Sequence, residues 1–187
     1  MKRTLAGLII SALLLASLAT LSTAQTREQT TIQTTTFDTP AQKGAVSFSY
    51  LNFPWGEVTF SYIELGKKDN YYGERTWPFA QLDNKVALTL DGTKIAPGQY
   101  ALIVSPPSDG KPMSLSVVPF EGQTFVKAGN VFSATPKGTA IYTKDVAFAT
   151  VDSMADHLKI DVVPSAGGFD LVVNYGNRRL TKSFSTK

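Results

Sequence analysis

His157-Leu158-Lys159-Ile160-Asp161-Val162 and, one short turn later, Phe169-Asp170-Leu171-Val172-Val173-Asn174-Tyr175 decide how this chain folds. In the first stretch Leu158, Ile160 and Val162 alternate with His157, Lys159 and Asp161. In the second, Phe169, Leu171, Val173 and Tyr175 fall on one face. Successive side chains on a strand point to opposite faces, so a period of two marks a strand with one buried side. Ser165-Ala166-Gly167-Gly168 turns the chain between the two. Gly176-Asn177 has the composition of a two-residue hairpin loop. Arg178–Ser185 then runs back, carrying Leu180 and Phe184. Strands joined this way predict an antiparallel C-terminal meander.

The same reading extends upstream. Val46, Phe48 and Tyr50 alternate with Ser47 and Ser49, and Val58, Phe60 and Tyr62 alternate with Thr59 and Ser61, which predicts a strand in each place. Lys85–Leu90 reads as another, closed by an Asp91-Gly92 turn. Pro97-Gly98 turns the chain again, Tyr100–Val104 is almost unbroken in apolar residues and so central, and Leu115–Val118 returns. Glu121–Lys144, with Gly122, Gly129, Pro136 and Gly138, reads as loops plus one or two short strands, and Met154-Ala155 as a single helical turn. Many short strands with Gly/Pro turns predict an all-β fold, an antiparallel β-sandwich or partly open barrel over 45–187.

Two segments precede that body. Lys2 and Arg3, an apolar run from Leu5 to Leu21, then Ser22-Thr23-Ala24 give the layout of a cleaved secretory signal helix over 1–24. The alternative is a membrane anchor, but the run is diluted by Ser11, Ser17 and Thr20 and falls short of a spanning helix. Residues 25–44 are Thr-rich, with Ile32 and Phe37 as their large apolar side chains; they form either a stalk or an edge strand that docks through those two. The expected location is therefore periplasmic or extracellular.

Composition narrows the chemistry. The chain has no Cys, which removes thiolate nucleophiles, thiolate metal sites and disulfides. Lys2 and Arg3 account for two of the three net positive charges, leaving the rest at +1 with bases and acids interspersed, so no nucleic-acid footprint is present. His157 is the lone histidine and alternates away from Leu158 and Ile160, toward solvent. No G-x-S-x-G, H-E-x-x-H or P-loop occurs. Lys67-Lys68-Asp69-Asn70 offers two acceptors beside two positives and does not make a calcium loop. No cofactor or metal is expected.

Tyr50–Phe79 is dense in aromatic residues. Phe60 and Tyr62 belong to the core by alternation. Trp55 stands between Pro54 and Gly56, and Tyr71-Tyr72 precedes Gly73, both in turn-like contexts. Such rings either close an open end of the sandwich or meet a ligand. Trp55, Tyr71, Tyr72 and Trp77, with Glu74 and Arg75 as polar neighbours, are the candidate ligand-binding residues. Glu57, Glu64, Asp69, Glu74 and Glu121 are carboxylates that a fold can bring together, and glycosidic cleavage needs only two of them facing each other.

Three segments together resemble the bacterial family called domain of unknown function 2911 (DUF2911). They are Leu88-Thr89-Leu90-Asp91-Gly92-Thr93-Lys94-Ile95-Ala96-Pro97-Gly98-Gln99-Tyr100-Ala101-Leu102, then Tyr142-Thr143-Lys144-Asp145-Val146, and the closing run from His157 to Phe184. The chain departs from the family at Glu74-Arg75-Thr76-Trp77-Pro78-Phe79-Ala80, where members show Trp-Arg-x-Gly-Ala-Asn. The resemblance implies a β-rich, exported or envelope-associated domain and brings no activity with it. The resulting expectation is a non-catalytic module contacting a glycan, a lipid or an envelope protein. The alternatives are a paired-carboxylate hydrolase and a structural domain that pairs through a strand edge.

Overall fold

The computed structural model describes residues 30–66, 77–119 and 139–186. They form ten strands and one helix: β1 (Ile32–Thr39), β2 (Gln42–Leu51), α1 (Glu57–Glu64), β3 (Trp77–Asn84), β4 (Leu88–Leu90), β5 (Thr93–Ile95), β6 (Gly98–Ser105), β7 (Ser114–Pro119), β8 (Tyr142–Asp145), β9 (Ala149–Ser165) and β10 (Gly168–Ser185). One sheet has the order β1-β2-β3-β6-β7-β8 and the other β5-β4-β10-β9, with every pairing antiparallel. The fold is the expected all-β sandwich, without a closed barrel.

The core lies between the sheets. Val46, Phe48 and Tyr50 from β2, Leu82 from β3, Leu102 and Val104 from β6, and Leu115 and Val117 from β7 face Leu158 and Ile160 of β9 and Phe169, Leu171, Val173 and Phe184 of β10. Burying that much apolar surface is the main driving force for the two layers to meet. Phe169 stacks on Phe184 at 5.1 Å, and Phe48 meets both edge-on. β6 is buried on both faces from Tyr100 to Val104, as its unbroken apolar run predicts.

Four local readings change. The stretch with Val58, Phe60 and Tyr62 is the helix α1, not a strand. Two turns of helix carry too few residues for periodicity to separate 3.6 from 2. Burial decides it: Phe60 is 2% exposed while Val58 is 72% exposed, which alternation forbids. Gly56, extended at φ −146°, starts the helix, and Phe60 N–H donates to its carbonyl at 2.8 Å. Glu57 in the first turn complements the helix dipole.

The hairpin expected at Gly176-Asn177 does not form; β10 runs unbroken through it. Gly176 takes φ +59° inside the strand, and β9 bulges opposite, with Asn174 facing Lys159, Gly176 facing Ala155 and Arg178 facing Thr150. The third leg of the meander is thus the far half of β10, which reaches β4 at Phe184 and Leu90. Met154-Ala155 belongs to the bulged part of β9, not to a helical turn. Lys85–Leu90 is a strand only from Leu88 onward.

Part of the Thr-rich lead-in is β1, an edge strand paired with β2. Phe37 docks on the core, 4.8 Å from Phe169, whereas Ile32 stays half exposed. The expected signal segment over 1–24 and most of the stretch between β7 and β8 lie outside the described residues. Among the described residues no helix is long and apolar enough to cross a membrane.

Candidate functional site

The connection from β2 to α1 crosses from one sheet to the other. Leu158 N–H donates to the Phe53 carbonyl at 2.8 Å, and Trp55 N–H donates to the Asp156 carbonyl at 2.7 Å. Pro54 forms a bridge with His157. Phe53–Trp55 therefore runs along the free edge of β9 where that strand bulges. The fixed φ of Pro54 and its missing N–H suit it to this edge position. His157, expected in solvent, is half-buried there.

This crossing sets Trp55 over β10. Its indole is 4.8 Å from the Tyr175 ring, edge to face, and 5.5 Å from Phe60. Tyr175 Oη donates to the Pro54 carbonyl at 2.8 Å. Burial holds its phenol above the ordinary tyrosine range. Trp77, first residue of β3, lies 5.7 Å from Tyr175 and 6.2 Å from Phe60. Phe148 meets Phe60 edge-on at 5.1 Å. Phe60 is thus the hub of a ring of aromatic side chains closing one end of the sandwich, with α1 as its lid. Pairs in such tilted and edge-to-face arrangements each add about 0.5–1.5 kcal/mol beyond area burial.

Of the expected ligand-binding residues, Trp55 and Trp77 come together here, both half-buried. Tyr71, Tyr72, Glu74 and Arg75 lie outside the described residues, as do Asp69 and Glu121.

Two expected carboxylates sit on α1. Glu64 accepts from Arg178 Nε at 2.9 Å and from Nη2 at 3.2 Å, a two-point pair, while Arg178 Nη1 donates to Asn177 Oδ1. The bond to Glu64 raises the guanidinium above its ordinary value; burial opposes this and the Glu64 and Glu57 charges add to it. Both Glu64 carboxylate oxygens are thus occupied by Arg178 rather than turned toward a second carboxylate. Glu57 lies at the other end of the helix, roughly 10 Å along the axis at 1.5 Å per residue. Among the described residues no group of three or more His, Asp or Glu could hold a metal ion.

A second polar cluster joins the two sheets away from this end. Tyr142 on β8 donates to Asp91 Oδ2 at 2.6 Å, and Lys182 on β10 donates to the same oxygen at 3.2 Å and to Tyr142 Oη at 3.3 Å. Asp91 occupies the left-handed region at φ +48° in the β4–β5 turn. The Tyr142 bond lowers its carboxyl below the ordinary value; burial opposes this, and Lys182 and Lys144 reinforce it. Tyr142 is raised well above the tyrosine range, first by burial and then by Asp91. A phenol held protonated is not a base, so the trio acts as a clamp between the two sheets. No spacing rule links positions 91, 142 and 182; only the sheet order does.

Comparison with protein-family models, with curated proteins and with solved structures finds no match to this chain.

Proposed function

We propose that this chain is an exported, non-catalytic binding module that takes the acyl chain of a lipid at the end of the sandwich closed by α1. One observation carries the reading. α1, whose Phe60 packs on the half-buried Trp55 and Trp77, leaves Val58 72% exposed, and Leu65, just past its end, is 59% exposed. Exposed aliphatics on and next to the helix that covers this aromatic end suit an apolar ligand. Stacking on sugar rings needs open ring faces, and both indoles commit ring surface to Phe60 and Tyr175. The pairing of Glu64 with Arg178 favours binding over carboxylate catalysis at this end. The leader-like residues 1–24 and the resemblance to DUF2911 support export and an envelope role.

The chain has only two tryptophans, so intrinsic emission reports on this end alone. Titration with phosphatidylglycerol vesicles is expected to shift the emission to the blue, and the V58S/L65S double variant to lose the shift. Unchanged emission across the vesicle range overturns the reading. A response to a soluble oligosaccharide in place of vesicles replaces acyl with glycan recognition.

A further inference from the structure

We propose that β1 is a self-pairing edge, to which β1 of a second copy adds antiparallel so that one sheet runs continuously through both molecules. A bare strand edge presents unpaired N–H and C=O groups and pairs with another chain unless it is shortened, charged, bent or covered. Four strands end the two sheets: β1, β8, β5 and β9. β8 has four residues, including Lys144 and Asp145. β5 has three, centred on Lys94. β9 is long, but Phe53–Trp55 lies along it, Lys159 and Asp161 form an ion pair on it at 3.1 Å, and it contains Pro164. Among the described residues β1 alone has none of these protections from Ile32 to Phe37: no charge, no proline and no segment hydrogen-bonded along its outer edge. Its register with β2 is regular over that span, and the irregularity begins only after Phe37. The nearest charge, Asp38, accepts from Gly44 N–H at 2.6 Å at the strand's end.

Its own sequence argues for a second copy as the occupant. A two-fold axis brings each residue of a strand against a residue of the same strand, so any charge risks meeting its like, which is destabilising. Ile32-Gln33-Thr34-Thr35-Thr36-Phe37 contains no charge. Antiparallel pairing about an axis normal to the sheet preserves which face is outward. Thr34 and Thr36 face outward, exposed and level with Ser49 and Ser47, while Thr35 and Phe37 face the core side and are half-buried. Centring the axis on Thr35 sets Thr34 against Thr36 of the other copy, a threonine pair that hydrogen-bonds across strands. Thr34 Oγ1 already makes such a contact with Ser49 Oγ, at 3.0 Å.

The register is testable by charge. Protein made from the full-length chain is followed by sedimentation velocity from about 1 μM to about 500 μM, a range that spans weak association. A monomer–dimer equilibrium is expected. T34K/T36K sets lysine against lysine twice and weakens the dimer about tenfold or more. T34K/T36E sets lysine against glutamate twice and retains it. Hydrogen exchange on the unmodified protein, which does not depend on any variant folding, is expected to protect amides 32–37 more at high concentration. A wild-type monomer throughout, a T34K/T36K dimer as tight as wild type, or loss of the dimer in T34K/T36E overturns the proposal.

Discussion

The indole of Trp55 lies so close over Gly176 that a methyl group on that α-carbon would run into ring carbons Cδ2, Cε2 and Cε3. Gly176 is also held at φ +59°, where an L side chain is strained. A glycine that reads in sequence as the tip of a turn is thus the floor on which the β2–α1 crossing rests.

Gly176→Ala is therefore expected to destabilise the fold by roughly 2–4 kcal/mol, since it combines a clash with backbone strain. Gly92→Ala is the comparison. Gly92 has φ +82° but nothing within 4 Å of a new methyl, so only the left-handed cost of about 1–2 kcal/mol applies. Urea unfolding of the two variants measures the difference, and Gly176→Ala is expected to perturb tryptophan emission as well.

Phe60→Ala removes the hub that touches Trp55, Trp77, Phe148 and Tyr175. A loss of about 3–5 kcal/mol is expected from the cavity. Val58→Ser, one turn-face away and exposed, is expected to change stability by less than about 0.5 kcal/mol. Equal effects in a denaturant melt would restore a strand in place of α1.

Glu64→Gln leaves Arg178 without its two-point partner in a partly buried setting. The expected cost is about 1–2 kcal/mol. Arg179→Ala, which removes an exposed bond to Asn174 Oδ1, is expected to cost less than about 0.5 kcal/mol. Chemical denaturation ranks the two.

The Asp91–Tyr142–Lys182 clamp fixes the pH limbs. Asp91 is held below its ordinary 3.8, so its stabilisation is present above that value and is lost as pH falls through the lower folded value. Asp91→Asn, which tolerates the left-handed backbone, is expected to be less stable at neutral pH and to lose stability less steeply below pH ~4. Tyr142 is raised above 10.0, so its contribution is complete below that value and fades as pH climbs beyond it. Tyr142→Phe is expected to flatten the alkaline limb. Thermal melts across pH measure both.

The sandwich was legible because strand pairing repeats a period of two over many residues, as from Leu158 to Tyr175. The helix was not, because Val58, Phe60 and Tyr62 fit either period over so short a span. The bulge at Gly176 was not, because the residue that imposes it, Trp55, is distant in sequence and reaches it only through the sheet crossing. Trp55 and Trp77 stood out by composition, but their shared hub Phe60 looked like ordinary core. Arg178, Glu64, Asp91, Tyr142 and Lys182 carried no local signal, since side chains that meet across layers leave no spacing to read.

Strand β10, the last to be synthesised of those described, is an inner member of its sheet, with β4 on one side and β9 on the other. A nascent chain lacking residues 168–185 leaves β4 with β5 alone and β9 with only the Phe53–Trp55 run beside it, so the second sheet stays in two pieces until translation has passed them. Closure of the sandwich therefore waits on its most C-terminal strand, so trimming that end undoes long-range pairing rather than fraying a tail.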